Sequence, residues 1–203
     1  MTPTFERFLR RFEAQGRDKA DGWSPGDFEG LSSAERERAR DLLLARIRQG
    51  DTVDMAGIRP LADARVVETL AALYREGRFN PVQTAVLAET LWLLTGDAHY
   101  ARELLRLLDA DDVQAAGFAA TVVSRLALPG ELADEVAARL CDGRHEHIVL
   151  PLAQNLLRLA GFPMETTADF QARLPVLRQV IGTDPPRRAA LIGQLLAGSD
   201  IHP

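Results

Sequence analysis

The sequence predicts an all-α protein built from stacked antiparallel helix pairs, and two observations carry that prediction. The helix formers Leu, Ala, Arg and Glu dominate a chain that is 46% hydrophobic and only 6% aromatic, with almost no β-branched runs. A joint then recurs along the chain as Leu61-Ala62-Asp63, Thr95-Gly96-Asp97, Leu128-Pro129-Gly130 and Gly161-Phe162-Pro163, every 33 or 34 residues. A fixed period of that length marks helical repeats, in which each unit buries its apolar face against the next. Counted from Asp63 and from Asp97, apolar residues fall at the same offsets of 3, 4, 7 and 10. Counted from Gly130 the matches are Ala133, Ala137 and Leu140, with Asp134 interrupting at offset 4. The pattern reads as one domain, a short right-handed α-solenoid. Residues 1–50 form N-terminal capping helices and a loop, 51–174 the repeats, and 175–203 a C-terminal capping helix and tail.

The elements follow in order. Phe5, Phe8, Leu9 and Phe12 lie at i, i+3, i+4 and i+7, the stripe of a short amphipathic helix that covers the first repeat. Gly16, Gly22, Pro25, Gly26 and Gly30 mark a loop, and its Trp23 and Phe28 pin it to the helices beneath. An exposed Trp23 would instead serve as a binding anchor. Ser32 and Glu35 form a capping box that opens the next helix, with Ala39, Leu42, Leu43 and Ile47 as its buried stripe and Gly50 at its end.

In the first repeat a helix from Thr52 to about Arg59 is closed by Pro60. Its partner runs from Ala64 to Glu76 on Val66, Val67, Leu70 and Leu73. In the second, Pro81 occupies a first-turn position, and the partner helix begins at Asp97 with Tyr100, Ala101, Leu104, Leu107 and Leu108 in its stripe. The third runs through Val113, Ala116, Phe118, Ala119, Val122, Val123 and Leu126, then from Glu131 to Cys141. The fourth opens near Glu146, and Pro151 either starts or kinks its helix. A shorter partner spans about Thr167 to Leu174, a last helix Arg187 to Leu196, and Ser199 to Pro203 form a frayed tail.

Two antiparallel helices per period, a mid-unit Asp or Gly turn and Leu/Ala/Val filling resemble HEAT-like (armadillo-type) repeat proteins over about Thr52 to Leu174. The joint Leu61-Ala62-Asp63-Ala64-Arg65-Val66-Val67 is the most similar part. Tetratricopeptide repeats share the period, but their Trp-Leu-Gly-Tyr and Ala-Phe-Pro pattern finds no place here. The opening stretch, with Trp23 and Asp27-Phe28-Glu29-Gly30-Leu31, also resembles bacterial immunity proteins that neutralise polymorphic toxins. No functional residue carries over from either family.

Composition narrows the function. A net charge of -5 opposes a broad nucleic-acid surface, whose footprint is basic. A single cysteine excludes an internal disulfide and fits a reducing compartment. Arg7, Arg10 and Arg11 interrupt the N-terminal apolar residues, so no secretory signal is read there. No stretch reaches the roughly 18 apolar residues of a membrane helix. The expectation is a cytoplasmic protein that engages no membrane and no nucleic acid.

Candidate chemistry is sparse. Arg144-His145-Glu146-His147 is the most metal-like cluster, with Cys141 or Asp142 as further ligands, yet it matches no strong zinc spacing and reads more simply as a polar turn. Cys141 occupies a slot filled by Leu108 one repeat earlier and reads as a small buried hydrophobe. Asp51, Asp54, Asp109, Asp111, Asp112 and Asp142 lie at turns and read as helix N-caps, or together as an acidic ridge facing a basic partner. No phosphate-binding glycine motif occurs.

The reading is therefore a non-catalytic protein-binding module that needs no metal or cofactor. Its partner-binding residues are those off the apolar stripes of the second helices: Glu68 and Arg75; His99, Glu103 and Arg106; Asp134, Glu135 and Arg139. The expected partner is a toxin domain neutralised by this chain. An adaptor or scaffold is the alternative, followed by a HEAT-like DNA glycosylase-type enzyme, which the sparse aromatics oppose.

Overall fold

The computed structural model describes residues 1–197. The proposed frayed tail and His202 lie outside them. The described residues form twelve α-helices and four short 3-10 turns, with no strand among them, so the all-α expectation holds. They fall into two compact units that meet within one helix, between Tyr100 and Ala101.

The first unit opens with α1 (Pro3–Glu13), α2 (Gly16–Ala20) and a 3-10 turn at Pro25–Asp27. The segment read from the sequence as a loop thus carries two short helical turns. Phe8 of α1 is fully buried and stacks on Phe5, Phe12 and Trp23, the last with ring centroids 5.0 Å apart. Trp23 is half-buried and not a free anchor. Its ring lies against Phe28 and its indole N–H donates to Asp54 Oδ1 at 3.0 Å. The Arg46 guanidinium covers Phe12 at 3.6 Å. The aromatic stripe of α1 is thereby sealed, and an offset-stacked cluster of this kind adds to what burial alone gives.

α3 (Ser33–Ile47) begins with the capping box of Ser32 and Glu35. Glu35 also accepts from the Thr2 amide at 2.7 Å and from the Thr2 hydroxyl at 2.9 Å, tying the chain start to the head of α3. These bonds hold the half-buried Glu35 carboxyl down at about 2, backbone donation from Thr2 being the largest cause. α4 (Thr52–Gly57) is shorter than expected, because a 3-10 turn at Arg59–Leu61 takes over where Pro60 removes an amide donor.

α5 (Ala64–Glu76) has the expected bounds, capped by Asp63 and ended by Gly77 in the left-handed conformation. α6 (Pro81–Thr95) packs against α4 and α5 and is buried without interruption from Ala85 to Leu91, as an apolar helix at the centre of a unit must be. Within it the buried Thr90 hydroxyl donates to the Met55 carbonyl at 3.0 Å. α7 (Ala98–Leu107) spans the boundary between units.

The second unit continues with α8 (Val113–Arg125), α9 (Ala133–Cys141), α10 (Val149–Leu159), α11 (Thr167–Gly182) and α12 (Pro185–Leu196). α10 packs on α8, α9 and α11, while α12 packs on α9. Small residues on α8 (Ala115, Ala116, Ala119 and Ala120, all buried) allow α10 to approach closely. Asn155 of α10 is fully buried and donates to the carbonyls of Val123 and Leu126 at 2.6 and 3.0 Å, satisfying the end of α8. Pro151 sits in the first turn of α10, so the helix starts beside it as one of the two readings had it, after a 3-10 turn at Glu146–Ile148.

α11 corrects the sequence reading, which ended this helix near Leu174. It continues through an exposed Pro175 to Gly182, and its buried Leu177 and Val180 lie past the proline. Arg188 of α12, 2% exposed, uses all five guanidinium N–H donors. They reach the carbonyls of Leu140, Val180 and Thr183 and both oxygens of Glu146, at 2.6–3.2 Å. One side chain thereby closes the ends of α9 and α11 together. Cys141 is half-buried; burial pushes its thiol up in pKa, against the opposing charge of Arg188.

Candidate functional site

The proposed binding residues fall in both units, and each group has its own surroundings. In the first unit the apolar stripe of α5 turns Val66, Leu70 and Leu73 inward, which leaves Glu68 and Arg75, seven residues apart, exposed on the opposite side. Arg75 adjoins an aromatic cluster. The chain's two tyrosines, Tyr74 and Tyr100, meet edge to face with centroids 5.3 Å apart, and His99 contacts both at 5.8 and 5.3 Å. His99 is exposed and the tyrosines are half-buried. Burial pushes the Tyr100 phenol up, the Asp97 carboxylate adds to this, and Arg75 opposes it. Sequence reasoning had placed Tyr100 in the apolar stripe and passed over Tyr74. The scarcity of tyrosine was the one available signal.

In the second unit the residues join a chain in which carboxylates alternate with Arg102, Arg139 and His145. Glu131, Glu135 and Arg139 stand four apart on one ridge of α9 and the turn before it, and Arg102 lies on α7. Arg102 pairs with Glu131 at 3.4 Å and Glu135 at 3.1 Å. Arg139 reaches Glu135 at 3.8 Å and forks onto Asp109, in the loop after α7, at 2.9 and 3.3 Å. Asp109 then meets His145 Nε2 at 3.0 Å, and His145 Nδ1 meets Asp142 at 2.8 Å. Arg144 closes the series on Asp142 at 2.8 Å. Beside it, Arg106 bonds Glu103 of its own helix at 2.8 Å. Asp134 is exposed and makes no ion pair or hydrogen bond among the described residues.

His145 is the pivot. It is buried while its neighbours Arg144, Glu146 and His147 are exposed, and both of its ring nitrogens face carboxylates. A carboxylate accepts only from a nitrogen bearing hydrogen, so the doubly protonated ring serves both partners and either neutral tautomer serves one. Burial alone would raise Asp142, but hydrogen bonds from His145 and Arg144 outweigh it and lower its pKa.

The turn carboxylates divide by role. Asp51 and Asp112 cap α4 and α8 as expected. Asp54, Asp109 and Asp142 depart from that expectation: Asp54 is buried under Trp23, and the other two hold His145. Among the described residues no group of three or more His, Cys, Asp and Glu side chains is disposed to hold a metal ion. None of the described helices is long and apolar enough to cross a membrane.

The arrangement on α7 and α9 is a charged surface whose side chains are held by one another. Carboxylates outnumber guanidinium groups on it, and Asp134 on α9 is exposed. No known family, no characterised protein and no solved structure matches the chain.

Proposed function

We propose that this chain is a non-catalytic protein-binding module whose partner is a bacterial toxin domain that it neutralises. The α7–α9 surface is the part that meets the partner. Part of the same proposal is that the helix pairs stack as a short right-handed HEAT-like solenoid in a cytoplasmic protein.

The observation that supports this reading is the alternating chain from Glu131 through Arg102, Glu135, Arg139, Asp109 and His145 to Asp142. Ordering long side chains on association costs about 0.5–1.5 kcal/mol for each rotamer-rich group. Here intramolecular pairs have already ordered them. A pre-set charge pattern also rejects surfaces of the wrong polarity and steers those of the right one. The excess of carboxylates fits a basic partner surface, as found on domains that act on nucleic acid.

Co-expression tests the proposal. A toxin domain found encoded beside this chain should arrest growth when expressed alone, cells should grow normally when the chain is co-expressed, and the two should purify as an equimolar complex. Continued arrest on co-expression, or purification with nucleic acid and no protein, defeats it.

A further inference from the structure

α1 and the segment after it enclose an open recess of ≈ 500 Å3 in the first unit. Arg7, Arg10 and Arg11 come from α1, Asp18 from α2, and Asp21 and Trp23 from the turn that follows. The frame of this recess is fixed by contacts already made. Arg11 Nε donates to the Gly22 carbonyl at 2.8 Å, and Arg7 donates to the Gly26 carbonyl and faces Asp27 at 4.0 Å. Buried Asp27 accepts from the amide and hydroxyl of Ser24 at 2.8 and 2.9 Å. Trp23 packs against both Phe8 and Phe28, which also touch each other, and is tied to Asp54.

Three charges on this fixed frame are left over. Arg10, Asp18 and Asp21 are exposed, line the recess, and make no hydrogen bond or ion pair among the described residues. They lie close in sequence and bear opposite charge, yet stand further apart than the 4.0 Å of an ion pair. Arg7 and Arg11 keep further N–H donors beyond those their carbonyl bonds use. The recess therefore has a guanidinium wall and a carboxylate wall with room between them.

We infer that this recess binds a small zwitterion, a molecule of amino-acid or dipeptide class. Its carboxylate lies on Arg10 and the free donors of Arg7 and Arg11, and its ammonium on Asp18 and Asp21. A simple anion would meet the two aspartates without a partner for them, and a simple cation would meet the three arginines. Only a ligand bearing both charges satisfies both walls. Because the charged groups are exposed, the affinity is modest, with Kd on the order of 1 mM. This inference stands apart from the toxin-binding proposal and survives its failure.

The test is a titration of the 15N-labelled full chain with the dipeptide L-alanyl-L-alanine, read at the two indole N–H signals. Trp23 lines the recess and Trp92 does not, so Trp92 is the internal reference. The Trp23 signal should move saturably while that of Trp92 stays fixed. N-acetyl-alanyl-alanine and alanyl-alanine amide, which each lack one charge, should bind about tenfold more weakly or worse. Arg10→Gln and Asp21→Asn, both at exposed positions, should each weaken binding about fivefold or more without changing the thermal melt. No saturable shift by about 20 mM, equal binding of the capped analogues, or variants that bind as the parent does would each overturn the inference.

Discussion

Replacing Arg188 by methionine keeps much of the side-chain volume and removes all five hydrogen bonds. Glu146 is half exposed, so water can take over its share and that pair contributes little. The three carbonyls of Leu140, Val180 and Thr183 are the costly part, because Arg188 covers them at a 2% exposed position. At about 1 kcal/mol for each lost bond, the loss is about 3 kcal/mol, at the lower end of what breaking a buried charged group costs. With a urea m-value of about 2 kcal/mol/M, the midpoint should fall by about 1.5 M. Far-UV circular dichroism should follow it, and amide exchange should accelerate in α12 and at the ends of α9 and α11. Arg188→Lys keeps the charge but cannot fork to every acceptor, so it should fall between the two. A midpoint within about 0.3 M of the parent would refute the role given to this residue.

Three further outcomes follow from the first unit. A Cβ at Gly57 would lie 1.9 Å from Trp23 Cδ1, so Gly57→Ala must expel the indole. It should destabilise by about 1–3 kcal/mol and red-shift Trp emission, although alanine is the better helix former; a stabilised variant would contradict the packing. Glu35 has its pKa lowered in the fold, so its contribution is present above the unfolded value of 4.5 and is lost as pH falls toward about 2. Glu35→Gln should flatten that acid slope in a stability-versus-pH series, and an unchanged slope would contradict the assignment. Asp54 is shifted the other way, raised chiefly by burial with only partial relief from the Trp23 hydrogen bond. Its contribution is therefore fully present below the unfolded value of 3.8 and lost as pH rises through its raised value in the fold. Asp54→Asn keeps an acceptor for the indole and should match or exceed the parent in stability at pH 7, while Asp54→Leu, which orphans the indole N–H, should melt earlier.

Local chemistry was legible in the sequence. The capping box at Ser32, the first-turn proline at Pro81 and the bounds of α5 depend on residues within a few positions of one another. Features set by distant partners were not. His145 read as part of a polar turn because its partner Asp109 lies 36 residues away. Arg188 gave no signal in the sequence, because the carbonyls it closes belong to α9 and α11. Asp54 was indistinguishable from its capping neighbour Asp51 until Trp23 came down on it. α11 outran its expected end because its last buried residues, Leu177 and Val180, follow a proline that the exposed face tolerates. Of the eight expected partner-binding residues, the sequence pattern correctly kept each out of the buried core. It did not show that Glu103, Arg106, Glu135 and Arg139 are held by ion pairs, or that His99 joins two tyrosines.

The central claim is that the α7–α9 surface meets a protein partner, and calorimetric titration of the purified chain with the toxin domain proposed as that partner tests this most directly. Asp134 makes no ion pair or hydrogen bond among the described residues, so Asp134→Arg alters the surface without removing a contact described there. The account predicts a saturable one-to-one complex that Asp134→Arg weakens about tenfold or more, while Glu37→Arg on α3 leaves it unchanged. A complex equally tight with Asp134→Arg would contradict the placement of the surface, and the absence of any complex would contradict the function.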